Sequence, residues 1–332
     1  MVCYVVCLLS SFFNIDALLG MKLPAVGLGT WQGTNNEKSK EELRDSIIHA
    51  LHNGYRLIDT AQYYFVEPVV GDAVRNSGVP RSEMTVITKF WSEWHHNPAE
   101  ALQKSLDALG LDYIDIFLMH WPCAAAPDGR ALRIDESPTF AETWKMMEKC
   151  VGGRCRAIGV SNFTQKTLDV LLSEATIVPV VNQVELHALN PNLKLVPYCQ
   201  EKGIQVMSWS TMGGGAEYAT RANEILTHPL FKRIAANHQC STGVLSLSWA
   251  VQRGICVIPK SSSLSRVEEN IKLVTLTPDE MTKMNEAHTT IGRLRIADHI
   301  PGLRKPMDGK QTILGWTVQD FGWEDADRNW LT

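Results

Sequence analysis

Short apolar runs alternate with amphipathic stretches along most of the chain. The runs are rich in β-branched residues, as strands buried on both faces are. The alternation predicts repeated strand–helix units, which build a parallel sheet. Seven strands are predicted at residues 55–59, 84–89, 113–120, 157–161, 178–183, 204–210 and 255–260, and a further strand, first in chain order, at residues 25–29.

Helical signals lie between these predicted strands. Apolar positions within residues 43–51 share one face at the 3.6-residue period of a helix. Asn97 is placed as an N-cap, Pro98 as the first helical residue and Glu100 as the acid at the third position. The segment that starts at Thr277 repeats this order. Helices are therefore predicted to begin directly after Asn97 and Thr277.

Two architectures contain such a parallel sheet, an open doubly wound sheet and a closed eight-stranded barrel. Eight units without a Pro/Gly/Ser-rich linker favour an α/β fold of the (β/α)8 TIM barrel type, as a single domain at residues 14–332. Residues 14–24, centred on Gly20 and Met21, predict a β-hairpin ahead of the first barrel strand. Residues 293–332 have no strong period and predict a long C-terminal loop.

Residues 1–13 form an apolar N-terminal extension in which only Ser10 and Ser11 are polar. A secretory signal has a similar apolar stretch, but it begins with a positive charge, and the first basic residue here is Lys22. An extended strand or a wrongly assigned start explains the extension better than a targeting segment.

Composition and charge narrow the function classes. The chain has 32 Lys and Arg against 36 Asp and Glu, a net charge of −4, so it lacks the basic excess that attracts nucleic acid or acidic membranes. Apolar residues make up 45% and charged residues 20%, as in a globular protein with a large core. No apolar run reaches the ~20 residues of a membrane helix. We expect a monomer with no nucleic-acid or membrane partner.

The cysteines are scattered, which bears on metal binding and on the compartment. The chain has eight cysteines, and no pair or Cys/His cluster has zinc-like spacing. Scattered cysteines in a chain of this length are typical of reduced, mostly buried thiols. We therefore predict a cytoplasmic protein that binds no metal.

Polar residues end the apolar runs. In a barrel these positions share the C-terminal rim, where active sites lie. Strand ends are often polar, but a Lys and a His that close very hydrophobic strands require partners. The strand-end residues are Asp59 and Thr60, Lys89, His120, Ser161 and Asn162, Asn182 and Gln183, Ser208 and Ser210, and Lys260 and Ser261.

This rim suits proton delivery to a carbonyl group. A tyrosine hydroxyl, from Tyr63 or Tyr64, can act as a general acid if Lys89 lowers its pKa and Asp59 keeps the lysine charged. Lowering a tyrosine pKa from ~10 to ~7 takes about 4 kcal/mol, within reach of a close cation. His120 would orient the carbonyl. None of these groups is a nucleophile beside a base, so hydrolysis through a covalent intermediate is disfavoured.

A nicotinamide cofactor is the expected hydride donor. The glycines of residues 27–33 have one residue too many for the dinucleotide-binding fingerprint. A better candidate is the segment at residues 258–262, which follows the last predicted strand and precedes a helix, a favoured phosphate site in barrels. Lys260 and Arg266 there would bind the additional phosphate of NADPH.

With these residues identified, the sequence resembles the aldo-keto reductase superfamily over residues 20–313. Several specific motifs occur in the family's order. The matching segments are residues 54–64 with Glu67, residues 111–115 and 120–122, residues 159–163, residues 182–185, and residues 258–261 with Arg266, Glu269 and Asn270.

The resemblance implies a (β/α)8 barrel that reduces carbonyls with NADPH. The implied catalytic tetrad is Asp59, Tyr64, Lys89 and His120. Tyr64 is the implied acid, in preference to Tyr63, because Glu67 follows it by three residues, as in the family. Implied cofactor contacts are Ser161, Asn162 and Gln183 on the nicotinamide amide, Trp209 and Ser210 beside its ring, Lys260, Ser261 and Arg266 on the adenosine phosphate, and Glu269 and Asn270 on the adenine. The implied substrate pocket contains Trp31, Trp91 and Trp121.

Three departures from the family pattern stand out. Trp209 replaces the usual stacking tyrosine, Val66 replaces an asparagine, and residues 211–215 contain three glycines in a loop that covers the cofactor in the family. Trp stacks as well as Tyr, so we expect cofactor binding to persist.

The family contains more than one function. We expect reduction of an aldehyde or ketone, with small polar or sugar aldehydes favoured. The alternatives are a cofactor-binding regulatory subunit, similar to potassium-channel β subunits, and a polyol or hydroxysteroid dehydrogenase that runs in the oxidising direction. A structural role, as in some lens proteins of this fold, has only fold analogy behind it.

Overall fold

The structure, a computed structural model, describes residues 12–16, 21–33, 36–214, 221, 223–300, 302–307 and 309–332. Most of the apolar extension at residues 1–13 lies outside the described residues. Strands β1 (Phe12–Asp16) and β2 (Met21–Pro24) pair antiparallel, with Phe13 opposite Leu23. The predicted turn residue Gly20 also lies outside the described residues.

Eight parallel strands form the central sheet, and their order in the sheet follows the chain. Their positions agree with the eight apolar runs, because strands covered on both faces must be apolar throughout. The strands are β3 (Leu28–Gly29), β4 (Leu57–Asp59), β5 (Thr85–Phe90), β6 (Ile114–Met119), β7 (Cys155–Ser161), β8 (Val181–Glu185), β9 (Gln205–Trp209) and β10 (Cys256–Val257).

Backbone hydrogen bonds close this sheet on itself. The Gly27 N–H donates to the Val257 carbonyl over 2.8 Å, and the Val257 N–H donates to the Ala25 carbonyl over 2.9 Å. Glycine is required at position 29, because a Cβ there would lie 2.7 Å from the Ile258 carbonyl oxygen. The first and last strands therefore meet as in the predicted (β/α)8 barrel, and not as in an open sheet.

Helices connect the strands and cover the outside of the barrel. Both helix starts predicted from caps are confirmed, since Asn97 accepts from the Glu100 N–H and Thr277 forms a capping box with Glu280. The helices are α1 (Glu37–His52), α2 (Glu67–Asn76), α3 (Pro98–Leu109), α4 (Phe140–Glu148), α5 (Gln165–Glu174), α6 (Leu195–Glu201), α7 (Glu224–Thr227), α8 (Pro229–Asn237), α9 (Thr242–Gln252), α10 (Leu264–Asn270), α11 (Pro278–Thr290) and α12 (Val318–Phe321).

The C-terminal segment differs from the predicted long loop because it contains short elements. A 3-10 turn (Ile296–His299) precedes strands β11 (Arg304–Met307) and β12 (Lys310–Ile313), which pair antiparallel, and helix α12 follows. The Thr317 side chain caps α12 in a box with Asp320. Ile296 in the 3-10 turn, and Ile300 and Leu303 after it, line the cleft described below.

Candidate active site

The C-terminal ends of neighbouring strands bring four predicted catalytic residues together. Asp59 ends β4, Lys89 is next to last in β5, and His120 directly follows β6. Tyr64 lies in the 3-10 turn Gln62–Tyr64 that follows β4. Asp59, Tyr64 and His120 line one cleft of about 340 Å³ at this rim, and the Lys89 ammonium contacts Asp59 and Tyr64.

Lys89 is the centre of this group. Its side chain is completely buried, and Nζ donates to Asp59 Oδ1 over 2.7 Å and to the Thr60 carbonyl over 2.9 Å. The same atom lies 3.4 Å from the Tyr64 hydroxyl. Burial is the largest single effect and opposes a charge on Lys89, but the Asp59 carboxylate and the Tyr64 oxygen together act against it, and the net result is a raised pKa of Lys89. Lys89 is therefore a fixed cation beside the tyrosine hydroxyl.

Tyr64 keeps its proton more strongly than we expected from the sequence. Burial raises the pKa of Tyr64, and the opposing effect of Lys89 is smaller. The expected lowering toward neutral pH is therefore wrong for this structure, because desolvation of a phenolate is costly in a buried position. A tyrosine that holds its proton at neutral pH, with a cation ready to stabilise the phenolate, is still suited to act as a general acid.

His120 is a neutral imidazole in this site. Burial, with a smaller effect of the Lys89 charge, lowers the pKa of His120 well below its usual range. Its ring lies edge-on to the Trp91 ring at 4.9 Å and to the Tyr64 ring at 5.7 Å. A neutral imidazole retains one N–H, which can donate to a carbonyl oxygen beside Tyr64 without placing a second cation next to Lys89.

The predicted amide-binding residues are held by hydrogen bonds among themselves. Ser161 Oγ donates to the Gln183 carbonyl over 2.7 Å, and Gln183 Nε2 donates to Asp59 Oδ2 over 2.7 Å. Asn162 Nδ2 donates to the His120 carbonyl over 2.8 Å, with Asn162 in the left-handed backbone region at φ 64°. Since Gln183 donates through Nε2, its amide oxygen is the atom that can accept from an amide ligand.

Trp209 forms a wall of the same cleft at the end of β9. Its indole Nε1 donates to Asn162 Oδ1 over 3.0 Å. The half-buried ring is thereby fixed in orientation and presents a flat apolar surface. Ser210, Gly213 and Gly214 follow it along the cleft, whereas Gly215 of the glycine-rich loop lies outside the described residues.

Of the predicted phosphate-binding residues, which follow β10, Lys260 lines the cleft. Burial, with a smaller effect of the Arg266 charge, lowers the pKa of Lys260 against the opposing effect of the Glu42 carboxylate. Arg266 Nε donates to Ser261 Oγ over 3.3 Å. Two cations and a hydroxyl therefore lie close together, where an anion would relieve their repulsion. Helix α10 contains Arg266 as well as Glu269, which is half-buried, and Asn270, which is buried.

Aromatic rings build the part of the cleft nearest Tyr64. Tyr63 stacks on Trp91 at 3.8 Å between ring centroids, and Trp31 is nearly parallel to Tyr63 at 6.3 Å. Trp121 is buried and also lines the cleft. The family resemblance implied the three tryptophans as pocket residues but did not include Tyr63 in the pocket. Its adjacency to Tyr64, in a turn after a strand end, was the available signal.

A second feature that sequence reasoning missed is the pair Glu185 and His187. Their side chains are buried, and His187 Nε2 lies 3.0 Å from Glu185 Oε1. Glu185 follows Gln183 by two residues, so both side chains project from the same face of β8. That spacing was a signal for a second buried polar group near the rim.

In the described part of the chain, no cluster of three His, Cys, Asp or Glu side chains has the arrangement of a metal site. The helices of that part are too short or too polar to cross a membrane.

The chain is similar in sequence and structure to known proteins of one family. The profile described as the Aldo/keto reductase family matches residues 25–289. The glycerol 2-dehydrogenase (NADP(+)) of Saccharomyces cerevisiae is 38% identical, covering 83% of this chain and 91% of that protein. The D-galacturonate reductase of Hypocrea jecorina is 35% identical, covering 80% and 87%. The solved Bombyx mori aldo-keto reductase in complex with NADP matches with a TM-score of 0.75 and 36% identity, covering 83% and 92%.

Proposed function

The chain belongs to the aldo/keto reductase family, and from that premise we propose which of its residues carry out the reaction. The protein is an NADP-dependent oxidoreductase that reduces an aldehyde or ketone to an alcohol. The observation that carries the assignment of roles is the position of the buried Lys89 Nζ, which contacts Asp59 and the Tyr64 hydroxyl, two residues that line the cleft.

The residues of the cleft fit an NADPH molecule, which supplies the hydride when it is bound. Trp209 offers a flat ring beside the amide side chains of Asn162 and Gln183, as a nicotinamide with its carboxamide requires. At the other end, Lys260 and Arg266 offer two cations, as the additional phosphate of NADPH requires. Lys260 and the aromatic, amide-lined end thus line one cleft, and Arg266 would reach the phosphate from beside Ser261.

The proton comes from Tyr64 in this proposal. Its hydroxyl donates to the carbonyl oxygen as that oxygen gains negative charge, and the tyrosine passes through a phenolate. Lys89 stabilises the phenolate from 3.4 Å, and Asp59 keeps the lysine charged and oriented. His120 donates its N–H to the same carbonyl oxygen and so aligns the substrate with Tyr64.

We assign the remaining predicted residues to cofactor positioning. Hydrogen bonds hold the side chains that would contact the nicotinamide amide, so binding requires little reorganisation. These residues are Ser161, Asn162 and Gln183 at the amide, Trp209 and Ser210 beside the ring, Lys260, Ser261 and Arg266 at the phosphate, and Glu269 and Asn270 at the adenine.

Small polar aldehydes are the first substrate candidates. The relatives named glycerol 2-dehydrogenase and D-galacturonate reductase favour this class. Trp31, Trp91 and Trp121 would enclose the substrate, and Gln32 adds a polar group to the lining. The aromatic faces suit the C–H surface of a sugar aldehyde as well as an aryl group.

The proposal extends to the organisation of the molecule. All of the assigned residues come from one chain, so a monomer contains a complete site. The six cysteines of the described residues are free thiols, which supports a reducing compartment such as the cytoplasm. We also retain residues 14–332 as one domain.

The test is consumption of NADPH, followed by absorbance, with a panel of glyceraldehyde, sugar aldehydes, aryl aldehydes and ketones. The proposal expects turnover of aldehydes, with glyceraldehyde among the better substrates. Turnover of bulky ketones without any turnover of glyceraldehyde would contradict the substrate preference. Tight NADPH binding without turnover of any carbonyl compound would contradict the assignment of catalytic roles and favour a regulatory, cofactor-binding protein.

A further inference from the structure

A buried carboxylate outside the proton-transfer group holds one side of the cleft. Glu185 lies at the end of β8 and is only 6% exposed. Its Oε1 accepts the backbone N–H of Ile296 over 2.6 Å, and its Oε2 accepts that of Ala297 over 2.9 Å. A strand-end side chain of the barrel therefore binds the backbone of the C-terminal segment, more than one hundred residues away in the chain.

His187 contacts the same carboxylate, and its two ring contacts determine which tautomer it adopts. The Leu189 N–H donates to His187 Nδ1 over 3.2 Å, so the proton of the neutral ring is on Nε2. That Nε2–H donates to Glu185 Oε1 over 3.0 Å. The carboxylate thus accepts three hydrogen bonds in a buried position. A glutamine could not replace it fully, because its NH2 group would take the place of one oxygen and face the N–H of Ala297 or Ile296 donor to donor.

The backbone that Glu185 holds leads into an apolar wall of the cleft. Ile296, Ile300 and Leu303, called here the apolar wall, line the same cleft as Tyr64 and His120. The far end of the wall is tied by another contact, since the Leu314 N–H donates to the Leu303 carbonyl over 2.8 Å.

The ion pairs of Arg295, next to the apolar wall, connect parts of the C-terminal segment to each other. Arg295 pairs with Asp298 and Glu324, which belong to the C-terminal segment itself. Glu185 belongs to a barrel strand, and Gln183 on the same face of that strand contacts Asp59. Strand β8 therefore carries side chains that reach both the catalytic carboxylate and the backbone of the apolar wall.

We propose that Glu185 is a positioning residue that fixes the apolar wall relative to Tyr64 and so sets how well an aldehyde with an apolar substituent binds. The inference rests on the proposed function, because it requires the substrate carbonyl to lie at Tyr64 and His120. A short aldehyde reaches those two groups without extending to the wall. A longer alkyl chain gains binding energy only where the wall is in place.

A series of straight-chain aldehydes from propanal to octanal tests this with NADPH as cofactor. Each methylene that becomes buried against the wall is expected to raise kcat/KM of the unchanged protein by up to about fourfold. In Glu185→Gln the increase per methylene should flatten markedly, while kcat/KM for propanal and the Kd of NADPH stay within about twofold. The ratio of octanal to propanal does not depend on the fraction of active protein, so partial unfolding would not alter it.

Two further variants serve as a control and as a reserve. Glu67→Gln changes another buried carboxylate, which accepts from Thr88 Oγ1 over 2.6 Å and does not contact the wall, and it should leave the octanal-to-propanal ratio unchanged. Glu185→Asp keeps the carboxylate with a shorter reach, and it should lower the octanal-to-propanal ratio relative to the unchanged protein even if Glu185→Gln does not fold.

The outcomes separate the inference from its premise. An unchanged ratio in both Glu185 variants, or an equal loss for propanal and octanal, would overturn the role of Glu185 while leaving the reductase intact. Absence of turnover of every aldehyde by the unchanged protein would overturn the proposed function first and the inference with it.

Discussion

Gln183 donates a hydrogen bond from Nε2 to Oδ2 of Asp59 over 2.7 Å, deep in the barrel. The other oxygen of this carboxylate accepts from Lys89 over 2.7 Å. The amide that we assign to the nicotinamide and the carboxylate that holds the catalytic lysine are therefore in direct contact. A change at Gln183 should affect both cofactor binding and the environment of the lysine.

Gln183→Leu is expected to destabilise the protein as well as weaken NADPH binding. The variant removes the donor to a buried Asp59 oxygen, and a buried acceptor without a partner costs about 1–3 kcal/mol. Urea unfolding should show a loss of this size in the absence of cofactor. A stability equal to that of the unchanged protein would mean that the Gln183–Asp59 contact contributes nothing.

The stability of the protein should fall in acid because of His95. Burial lowers the pKa of His95 to about 3, and its ring contacts Thr143 Oγ1 and the Trp121 carbonyl. Below pH ~6.5 the unfolded chain binds a proton at this residue that the folded chain does not bind. This residue therefore lowers the free energy of unfolding by about 1.4 kcal/mol for each pH unit between ~6.5 and ~3.

His95→Gln tests that assignment, since glutamine keeps a donor and an acceptor but does not titrate in this range. Urea unfolding of both proteins at several pH values between ~4.5 and ~7 should give a stability difference that shifts toward the variant as the pH falls. Parallel curves would show that another group causes the acid sensitivity.

Replacement of both Lys260 and Arg266 by Met should separate the two nicotinamide cofactors. Hydrogen bonds to charged groups contribute about 1.5–3 kcal/mol each, so the Kd of NADPH should rise at least about tenfold. NADH lacks the additional phosphate, and its Kd should stay within about twofold. Fluorescence titration with each cofactor measures both values. An equal loss for NADPH and NADH would place these cations elsewhere on the cofactor.

The sequence predicted the barrel well because its signals are local. Buried strands must be apolar, and the polar residues that end them fall at one rim by topology alone. The strand boundaries differ from the prediction near proline residues and exposed positions. The strand predicted at residues 178–183 is Val181–Glu185, because Pro179 cannot donate to the ladder and Val178 is 48% exposed. The predicted strand at residues 255–260 shortens to Cys256–Val257, ahead of Pro259.

Features that depend on distant contacts were not predictable in the same way. The carboxylate of Glu185 accepts hydrogen bonds from the backbone N–H groups of Ile296 and Ala297, and no local sequence pattern indicates this contact. The sequence contains the spacing of a capping box at Thr317 and Asp320, but the helix that follows has only four residues. It is therefore too short to show an amphipathic pattern. The direction of the Tyr64 pKa was also missed, because burial cannot be judged from the sequence of one turn.

Replacement of Tyr64 by Phe, with NADPH oxidation and NADPH binding measured on the same preparation, tests the central claim most directly. The variant keeps the ring and removes only the hydroxyl beside Lys89. We expect the Kd of NADPH to stay within about twofold while kcat for the best aldehyde falls by about 10²–10⁴-fold, the usual contribution of a general acid. A kcat within about twofold of the unchanged protein would show that the proton comes from another group.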